Sequence, residues 1–233
     1  MTENGVPRHI GFIMDGNGRW AEERGLPRSA GHVRGVHALK KLVLAALDYE
    51  IPFITVFAFS TENWSRPEEE VAALMKMITD FNKKEAKFLL ERNIRVRFLG
   101  DIGALKPEVK ASIAKIETLT GGCASLQFNI ALNYSGKSDI LQAVNKAVEK
   151  GEKLDYLQFE NLLYTKDVPP PDLIVRTGGE KRLSNFMLYQ AAYSELIFIN
   201  KYWPDFNKKL LEKILAEYAG RVRRFGGLGE SEV

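Results

Sequence analysis

Three short polar segments contain residue types that bind phosphate, and each follows an apolar run of the chain. The first begins at Asp15 and continues Gly-Asn-Gly-Arg. Glycines let backbone amides approach a phosphate closely, and a following helix adds free N–H groups and the positive end of its dipole. Asp15 is then a natural ligand for Mg²⁺, which takes few carboxylates together with phosphate oxygens and water. Asp-Gly-Asn-Gly is also a common turn sequence, so an ordinary turn is the alternative interpretation.

Arg28 and His32 follow the first segment, and they are candidates to close the same site. A histidine considered alone is more often structural. The Gly-x-Gly at this point has no third spaced glycine, and the chain contains no Gly-x-x-x-x-Gly-Lys-Ser/Thr loop. The pattern therefore argues against a dinucleotide site and against a P-loop for a nucleoside triphosphate.

The second segment supplies Ser60, Asn63 and Arg66 directly after another apolar run. These three precede a helix that begins with proline and acids, which is a favourable helix start. We interpret Glu68, Glu69 and Glu70 as charges of that first turn and not as catalytic groups.

The third segment places Arg176, Arg182 and Ser184 around a Gly-Gly turn. Guanidinium groups and hydroxyls match phosphate oxygens, so we predict a second anion pocket here. A surface loop with incidental positive charge is the alternative. Glu195 begins the last apolar run, where an acid has no evident packing role.

The elements that must position these segments alternate in type along the chain. Short apolar or β-branched runs predict strands at residues 9–14, 53–59, 94–99, 126–132, 172–175 and 196–199. Stretches with helical spacing separate most of them, and the longest runs from Glu68 to about Arg92. This alternation predicts an α/β fold with a largely parallel sheet. The apolar stripe of the long helix indicates either core packing or the wall of a tunnel for an apolar substrate.

Composition limits the possible classes of protein. The chain has 233 residues, of which 45% are hydrophobic and 27% charged, and we predict one domain over residues 1–233 with a frayed tail at about 228–233. The only cysteine is Cys123, so an intramolecular disulfide, a cysteine-rich zinc site and a Cys-x-x-Cys pair are excluded. No signal peptide or spanning segment is evident, so we expect a cytoplasmic protein. A net charge of +3 is too small to indicate nucleic acid binding.

The chain resembles the cis-prenyltransferases of the undecaprenyl diphosphate synthase type through five segments in the same order: MDGNGRW, RSAGH, FAFSTENWSRP, RTGGEKRLSNF and RRFGG. The match extends from about residue 8 to about residue 227. The resemblance implies six parallel strands flanked by helices, a homodimer, and a hydrophobic tunnel that opens onto two diphosphate sites. It also implies that Mg²⁺ is the cofactor, that isopentenyl diphosphate and an allylic prenyl diphosphate are the substrates, and that the enzyme contacts the inner membrane face peripherally for product release.

The same resemblance assigns roles to single residues. Asp15 and Glu195 would hold the metal, and the catalytic residues would be Asp15, His32, Ser60 and Asn63. The residues expected to bind substrate are Gly16, Asn17, Gly18, Arg19, Trp20, Arg28, Trp64, Arg66, Arg176, Arg182, Ser184, Arg224 and Gly226. Arg224 and Gly226 would reach the site from the partner subunit.

The sequence departs from the family pattern at Ser135, where a glycine is common, and at Tyr189, where tryptophan is common. In this family a bulky residue in place of Ala58 shortens the tunnel, so the small side chain favours a long product of the undecaprenyl class, starting from farnesyl diphosphate. Two alternatives stay open: a catalytically silent partner subunit, which would lack Asp15 and much of the first motif, and a magnesium phosphohydrolase.

Overall fold

A single six-stranded sheet forms the centre of the molecule. The computed structural model describes residues 5–151 and 153–221. The strands are β1 His9–Ile13, β2 Phe53–Ser60, β3 Ile94–Leu99, β4 Leu126–Tyr134, β5 Leu173–Arg176 and β6 Glu195–Phe198. They lie in the order β3-β4-β2-β1-β5-β6, and all five pairings of the described strands are parallel. The predicted fold class is confirmed; β3 has the predicted bounds, and the bounds of the other strands differ from the prediction by at most two residues.

Seven α-helices of the described chain surround this sheet. They are α1 Asn17–Glu22, α2 Arg28–Asp48, α3 Glu68–Glu91, α4 Pro107–Thr120, α5 Gly136–Lys150, α6 Tyr156–Glu160 and α7 Lys208–Ala219. Two 3₁₀ helices, Thr61–Ser65 and Trp203–Asp205, complete the connections. None of the helices in the described part of the chain is long and apolar enough to cross a membrane.

The two faces of the sheet bury different sets of side chains, because successive residues of a strand point to opposite sides. On β2, Ile54 and Val56 join a large core cluster with apolar residues from α2, α3, α4 and α7. Phe53 and Phe57 instead pack in a smaller cluster on the other face, with Tyr134 and Phe186. Both faces are therefore covered, which explains why the strands read as continuous apolar runs.

β3 is an edge strand of the sheet, and α4 covers its outer side. The N–H of Val96 donates to Thr120 Oγ1 at 3.1 Å, and the N–H of Phe98 donates to Glu117 Oε1 at 2.7 Å. These bonds satisfy donors that an edge strand would otherwise leave available to another chain.

The position of β1 determines where a ligand can bind. After β1 the chain proceeds through β2 to one edge of the sheet, and after β4 it returns to the other side of β1 as β5. Ligands of open α/β sheets bind at such a reversal, beyond the carboxyl ends of the strands. The segment that begins at Asp15 lies at this point, directly after β1.

Candidate active site

A cavity of about 470 Å³ opens at this reversal and has two chemically different parts. Its polar part is lined by Asp15, Gly16, Asn17, Gly18, Arg19, Arg28, His32, Ser60, Asn63, Arg66, Arg176, Arg182 and Ser184. Its apolar part is lined mainly by Val36, Leu39, Val56, Phe57, Ala58, Leu74, Met77, Ile78, Phe81 and Ile130. The three polar segments of the sequence therefore meet in one cavity, and α2 and α3 supply much of its apolar wall.

Asp15 lies between two arginines. Its Oδ2 accepts a hydrogen bond from Arg176 Nη2 at 3.0 Å, and its Oδ1 lies 3.2 Å from Arg19 Nη2. The backbone is fixed as well, since the carbonyl of Asp15 accepts from Thr177 Oγ1 at 2.8 Å and from the N–H of Trp203 at 3.0 Å. The carboxylate is 29% exposed. It is thus rigidly placed yet accessible from the cavity.

Arg176 organises the third segment. It is only 5% exposed, and its Nη1 donates to the carbonyl of Arg182 at 2.6 Å and to Ser184 Oγ at 2.7 Å. Its Nε is buried without a hydrogen-bond partner among the described residues. A buried guanidinium with an unused donor is unfavourable unless an acceptor is supplied, and an anionic ligand would supply one.

Gly16 is required by its backbone conformation and its packing, whereas Gly18 is packed only against the flexible end of the Arg28 side chain. Gly16 has φ 101°, a left-handed conformation, and a Cβ there would lie 2.5 Å from the Tyr202 ring. A Cβ on Gly18 would lie 2.6 Å from the guanidinium carbon of Arg28. Glycine at position 18 therefore lets Arg28 lie directly against the backbone of α1, where both line the cavity.

Arg28 and His32 lie one turn apart at the start of α2. Burial lowers the pKa of His32 below its ordinary value; Glu70, whose Oε1 is 3.8 Å from His32 Nε2, opposes this shift, and Arg66 and Arg28 reinforce it. His32 is consequently a neutral imidazole near pH 7. Its buried Nε2 has no hydrogen-bond partner among the described residues.

Ser60 and Asn63 hold the turn after β2 by bonding to each other's backbone. Together they form a capping box on the 3₁₀ helix Thr61–Ser65, and the N–H of Ser60 donates to Asn63 Oδ1 at 3.0 Å. The bulge next to Ala58 shifts the register of β2 against β4 at this point. Bulges of this kind redirect side chains beside functional sites, and Ala58 lines the cavity.

Some of the predicted residues lie elsewhere. Trp20 donates to Asp205 Oδ1 at 2.8 Å, and Trp64 donates to Asn133 Oδ1 at 2.7 Å; neither lines the cavity. Glu195 begins β6, at the opposite end of the strands from Asp15. The predicted substrate-binding residues Arg224 and Gly226 and the predicted frayed tail lie outside the described residues. The roles of all these residues stay predictions.

Sequence reasoning missed two contributors to the site. Trp203 lines the cavity and donates to the carbonyl of Gly35 at 2.9 Å, and no motif pointed to it. Glu70, which we interpreted as a helix-start charge, contacts both His32 and Arg66. The four-residue spacing of Arg66 and Glu70 was the available signal for the second of these contacts.

Ser135 and Tyr189, the two residues that depart from the family pattern, each form contacts with nearby residues. Ser135 caps α5, and its Oγ accepts the N–H of Ser138 at 3.2 Å. Tyr189 donates to Glu160 Oε1 at 3.2 Å and packs edge-on against Phe159. Neither side chain lines the cavity.

The acidic groups of the site fit Mg²⁺ only in company with a substrate. Among the described residues no three or more His, Cys, Asp and Glu side chains are grouped to hold a metal ion. Mg²⁺ in phosphate sites takes one or two carboxylates and completes its octahedron with phosphate oxygens and water. Asp15, accessible in the polar part of the cavity, meets this requirement. The residues therefore fit a Mg²⁺ ion that is bound together with a diphosphate.

Comparison with known proteins gives a consistent result. Residues 13–226 match a family model described as "Putative undecaprenyl diphosphate synthase". An isoprenyl transferase of Thermotoga maritima is 46% identical, over 96% of this chain and 98% of its own length. An isoprenyl transferase of Agrobacterium fabrum is 44% identical, over 98% of this chain and 96% of its own.

Two solved structures are similar as well. Lavandulyl diphosphate synthase from Lavandula x intermedia, in complex with dimethylallyl diphosphate, has a TM-score of 0.92 and 34% identity, covering 96% of this chain and all of its own. A "probable undecaprenyl diphosphate synthase" from Campylobacter jejuni has a TM-score of 0.81 and 30% identity, covering 97% of this chain and all of its own. The chain therefore belongs to the undecaprenyl diphosphate synthase family of isoprenyl transferases.

Proposed function

We propose that the chain is a Mg²⁺-dependent cis-prenyltransferase that adds isopentenyl diphosphate units to farnesyl diphosphate. The product would be a long-chain polyprenyl diphosphate of the undecaprenyl class, made for the lipid carrier of cell-wall synthesis. One observation carries the proposal: a single cavity is lined both by five arginines, Arg19, Arg28, Arg66, Arg176 and Arg182, and by apolar residues of α2, α3 and the sheet. An amphiphile with a diphosphate head and a hydrocarbon tail fits that division.

The chemistry needs two anion sites at a fixed separation. The carbon–oxygen bond of the allylic diphosphate breaks, and its electron pair leaves with the diphosphate. The double bond of isopentenyl diphosphate attacks the allylic carbon, and loss of a proton from the isopentenyl unit leaves the new cis double bond. Fixed register between the two substrates removes most of the entropic cost of this encounter.

The residues of the chain divide this work between them. Arg19 and Arg28 would bind the allylic diphosphate and stabilise the charge that develops on it. Arg176, Arg182 and Ser184 would bind isopentenyl diphosphate. A neutral His32, which lines the same cavity as Ser60 and Asn63, is available as a proton acceptor. Bound through Asp15, Mg²⁺ would neutralise charge on the leaving diphosphate.

The direct test is incubation of the protein with farnesyl diphosphate, excess isopentenyl diphosphate and Mg²⁺. We expect products with new cis double bonds, whose length is read by mass spectrometry, and no turnover after chelation. Condensation that resists chelators, or an all-trans product, would contradict the proposal. Release of phosphate without condensation would favour a phosphohydrolase, and no turnover at all would favour a silent partner subunit.

Ala58 provides a test of the apolar part as a chain-length tunnel. It lines the cavity at the β2 bulge, with Ile78 and Phe81 among the other apolar lining residues. Ala58→Leu adds volume to a limited space, so we expect shorter products with the first condensations still active. Ala58→Ser, which is close to alanine in size, is the matched control and should leave the length distribution unchanged. Equal distributions for all three proteins would remove Ala58 from the tunnel wall.

Arg182 provides a test of the second anion pocket. Its side chain is 61% exposed and lines the cavity, and its carbonyl, which survives any substitution, still accepts from Arg176. Arg182→Ala should raise the KM for isopentenyl diphosphate by about tenfold to a hundredfold, the worth of charge-assisted hydrogen bonds. The KM for the allylic substrate should change little. Arg95→Ala, which removes an exposed arginine of β3 outside the cavity, is the control. Equal effects of Arg182→Ala on both substrates would reassign the pocket.

A homodimer is part of the proposal, and an exposed apolar surface supports it. The exposed large apolar side chains of these two helices are Leu141, Val144 and Val148 on α5 and Tyr156 and Leu157 on α6. Val148 is 73% and Tyr156 84% exposed. The three α5 residues lie on one helix face, at the spacing of a packing stripe. A second copy of the chain would cover these residues. The assembled dimer would be cytoplasmic and would contact the membrane peripherally.

A further inference from the structure

Asn185 connects three separate loops at the carboxyl ends of the strands. Its Nδ2 donates to Glu62 Oε1 at 2.7 Å, in the 3₁₀ helix that follows β2. Its Oδ1 accepts the N–H of Lys137 at 2.9 Å, and its carbonyl accepts the N–H of Gly136 at 2.6 Å, both at the start of α5 after β4. Asn185 itself belongs to the segment after β5.

The backbone around Asn185 is held in an unusual conformation. Ser184, Asn185 and Met187 have φ values of 48°, 66° and 46°, in the left-handed region that residues other than glycine seldom adopt. Such residues persist where the surrounding contacts enforce them, often at ligand-binding segments. Ser184 Oγ is the acceptor for Arg176 at 2.7 Å. The conformation therefore fixes the hydroxyl beside the buried guanidinium.

Glu62, the partner of Asn185, lies on the helix that carries Asn63. Partial burial works against ionisation of Glu62, but hydrogen bonds, first among them the one from Asn185, keep its pKa below the ordinary value. It is therefore a carboxylate at neutral pH, and its bond to the amide of Asn185 is charge-assisted. The other end of the same 3₁₀ helix is anchored through Trp64 to Asn133.

We propose that Asn185 is a positioning residue whose bond to Glu62 sets the distance between the two diphosphate pockets of the cavity. Of the residues that line the cavity, Asn63 lies on this helix and Ser60 directly precedes it, whereas Arg182 and Ser184 lie in the same segment as Asn185. We place the first pair with the allylic diphosphate and the second pair with isopentenyl diphosphate. The proposal rests on the proposed function for its substrates and goes beyond it, because Asn185 does not line the cavity and acts only through its neighbours.

The variant Asn185→Asp isolates this one bond. Aspartate tolerates the left-handed conformation as asparagine does, and its carboxylate still accepts the N–H of Lys137. Only the donor to Glu62 is lost, and two carboxylates then face each other. We expect kcat to fall by about tenfold and the KM for isopentenyl diphosphate to rise by about tenfold, with little change in the allylic KM.

A reciprocal exchange tests whether the bond itself is responsible. In Glu62→Gln combined with Asn185→Asp, the glutamine amide donates to the aspartate, so the hydrogen bond returns with its polarity reversed. Kinetic constants of the double variant should recover towards the wild-type values. A double variant no better than Asn185→Asp alone would overturn the proposal, because a merely structural role predicts no such rescue.

Asn93 offers a matched control at a remote site. It too has a left-handed backbone, with φ 53°, and its amide donates to Ser125 Oγ at 2.9 Å and accepts the N–H of Ala124 at 3.1 Å. Asn93→Asp should leave both KM values and kcat unchanged. If Asn185→Asp has the same kinetic profile as Asn93→Asp, the proposal is wrong.

Amide hydrogen exchange gives a readout that does not depend on turnover. Exchange within Thr61–Ser65 should be about tenfold faster in Asn185→Asp and normal in the double variant and in Asn93→Asp. Unchanged exchange in Asn185→Asp would overturn the positioning role. A wild-type protein that makes no polyprenyl product would instead refute the proposed function. The exchange result would then test only whether the bond from Asn185 to Glu62 stabilises the 3₁₀ helix.

Discussion

Asp15→Ala is expected to reduce turnover by about a thousandfold or more, the scale of losing a group that stabilises charge in the transition state. Binding of the allylic diphosphate should fall little. Arg19, which we propose binds that diphosphate, lies 3.2 Å from Asp15 Oδ1, so removal of the carboxylate makes this guanidinium more available to the anion. Turnover is measured with farnesyl diphosphate, isopentenyl diphosphate and Mg²⁺, and allylic affinity by titration without the second substrate.

Asp15→Asn separates the charge from the packing in this experiment. The amide oxygen still accepts from Arg176, but asparagine is a far poorer ligand for Mg²⁺ than a carboxylate. We expect a loss close to that of alanine. Asp48→Ala is the control, because Asp48 also pairs with a cation, Lys208 at 2.7 Å, but lies outside the cavity. Near-normal turnover in Asp15→Asn would mean that the carboxylate acts through packing alone.

The sequence predicted the parts of the site that depend on strand ends. In a parallel sheet the carboxyl ends of all strands meet at one edge, so Asp15 after β1, Ser60 in β2 and Arg176 at the end of β5 had to lie together once the strands were identified. Local signals sufficed for this, because apolar runs and helical spacing are properties of consecutive residues.

The remaining features depend on contacts between residues distant in sequence. The bulge at Ala58 results from pairing with β4, and no residue of β2 specifies it. Asn185 reads as part of a polar loop, yet its partners are 48 residues away at Lys137 and 123 residues away at Glu62. Trp203 reaches the cavity only because the chain returns past β1. Such contacts cannot be read from spacing alone.

Glu195 lies far from Asp15 within its own chain. Glu195 pairs with Leu173 at the beginning of β5, whereas Arg176, the partner of Asp15, ends that strand. Three residues of strand separate these levels by roughly 10 Å. Glu195 Oε2 is bonded instead to Arg221 Nη1 at 2.7 Å. A role for Glu195 at the metal therefore requires that it act on the partner subunit's site.

Mixed dimers test this shared site. Asp15→Ala and Glu195→Ala homodimers should each be nearly inactive. A mixed dimer would contain one intact site, formed by Asp15 of the Glu195→Ala chain and Glu195 of the Asp15→Ala chain. About half of the wild-type activity per dimer should return in it, since one of two independent sites is complete. Exchange of subunits is verified by two different affinity tags on the chains.

The apolar surface on α5 and α6 supplies the control for that mixture. Val148→Glu, added to both chains, places a charge on a surface that we expect the second copy to cover, and burying an unpaired charge is strongly unfavourable. The subunits should then separate, and the recovered activity should disappear although both lesions are unchanged. Recovery requires Glu195 to act on the partner subunit's site. If Glu195 acted on the site of its own chain, each of the two sites in the mixed dimer would contain one substitution and stay inactive. Verified mixed dimers that stay inactive would therefore rule out the shared site and, with it, the catalytic reason for dimerisation.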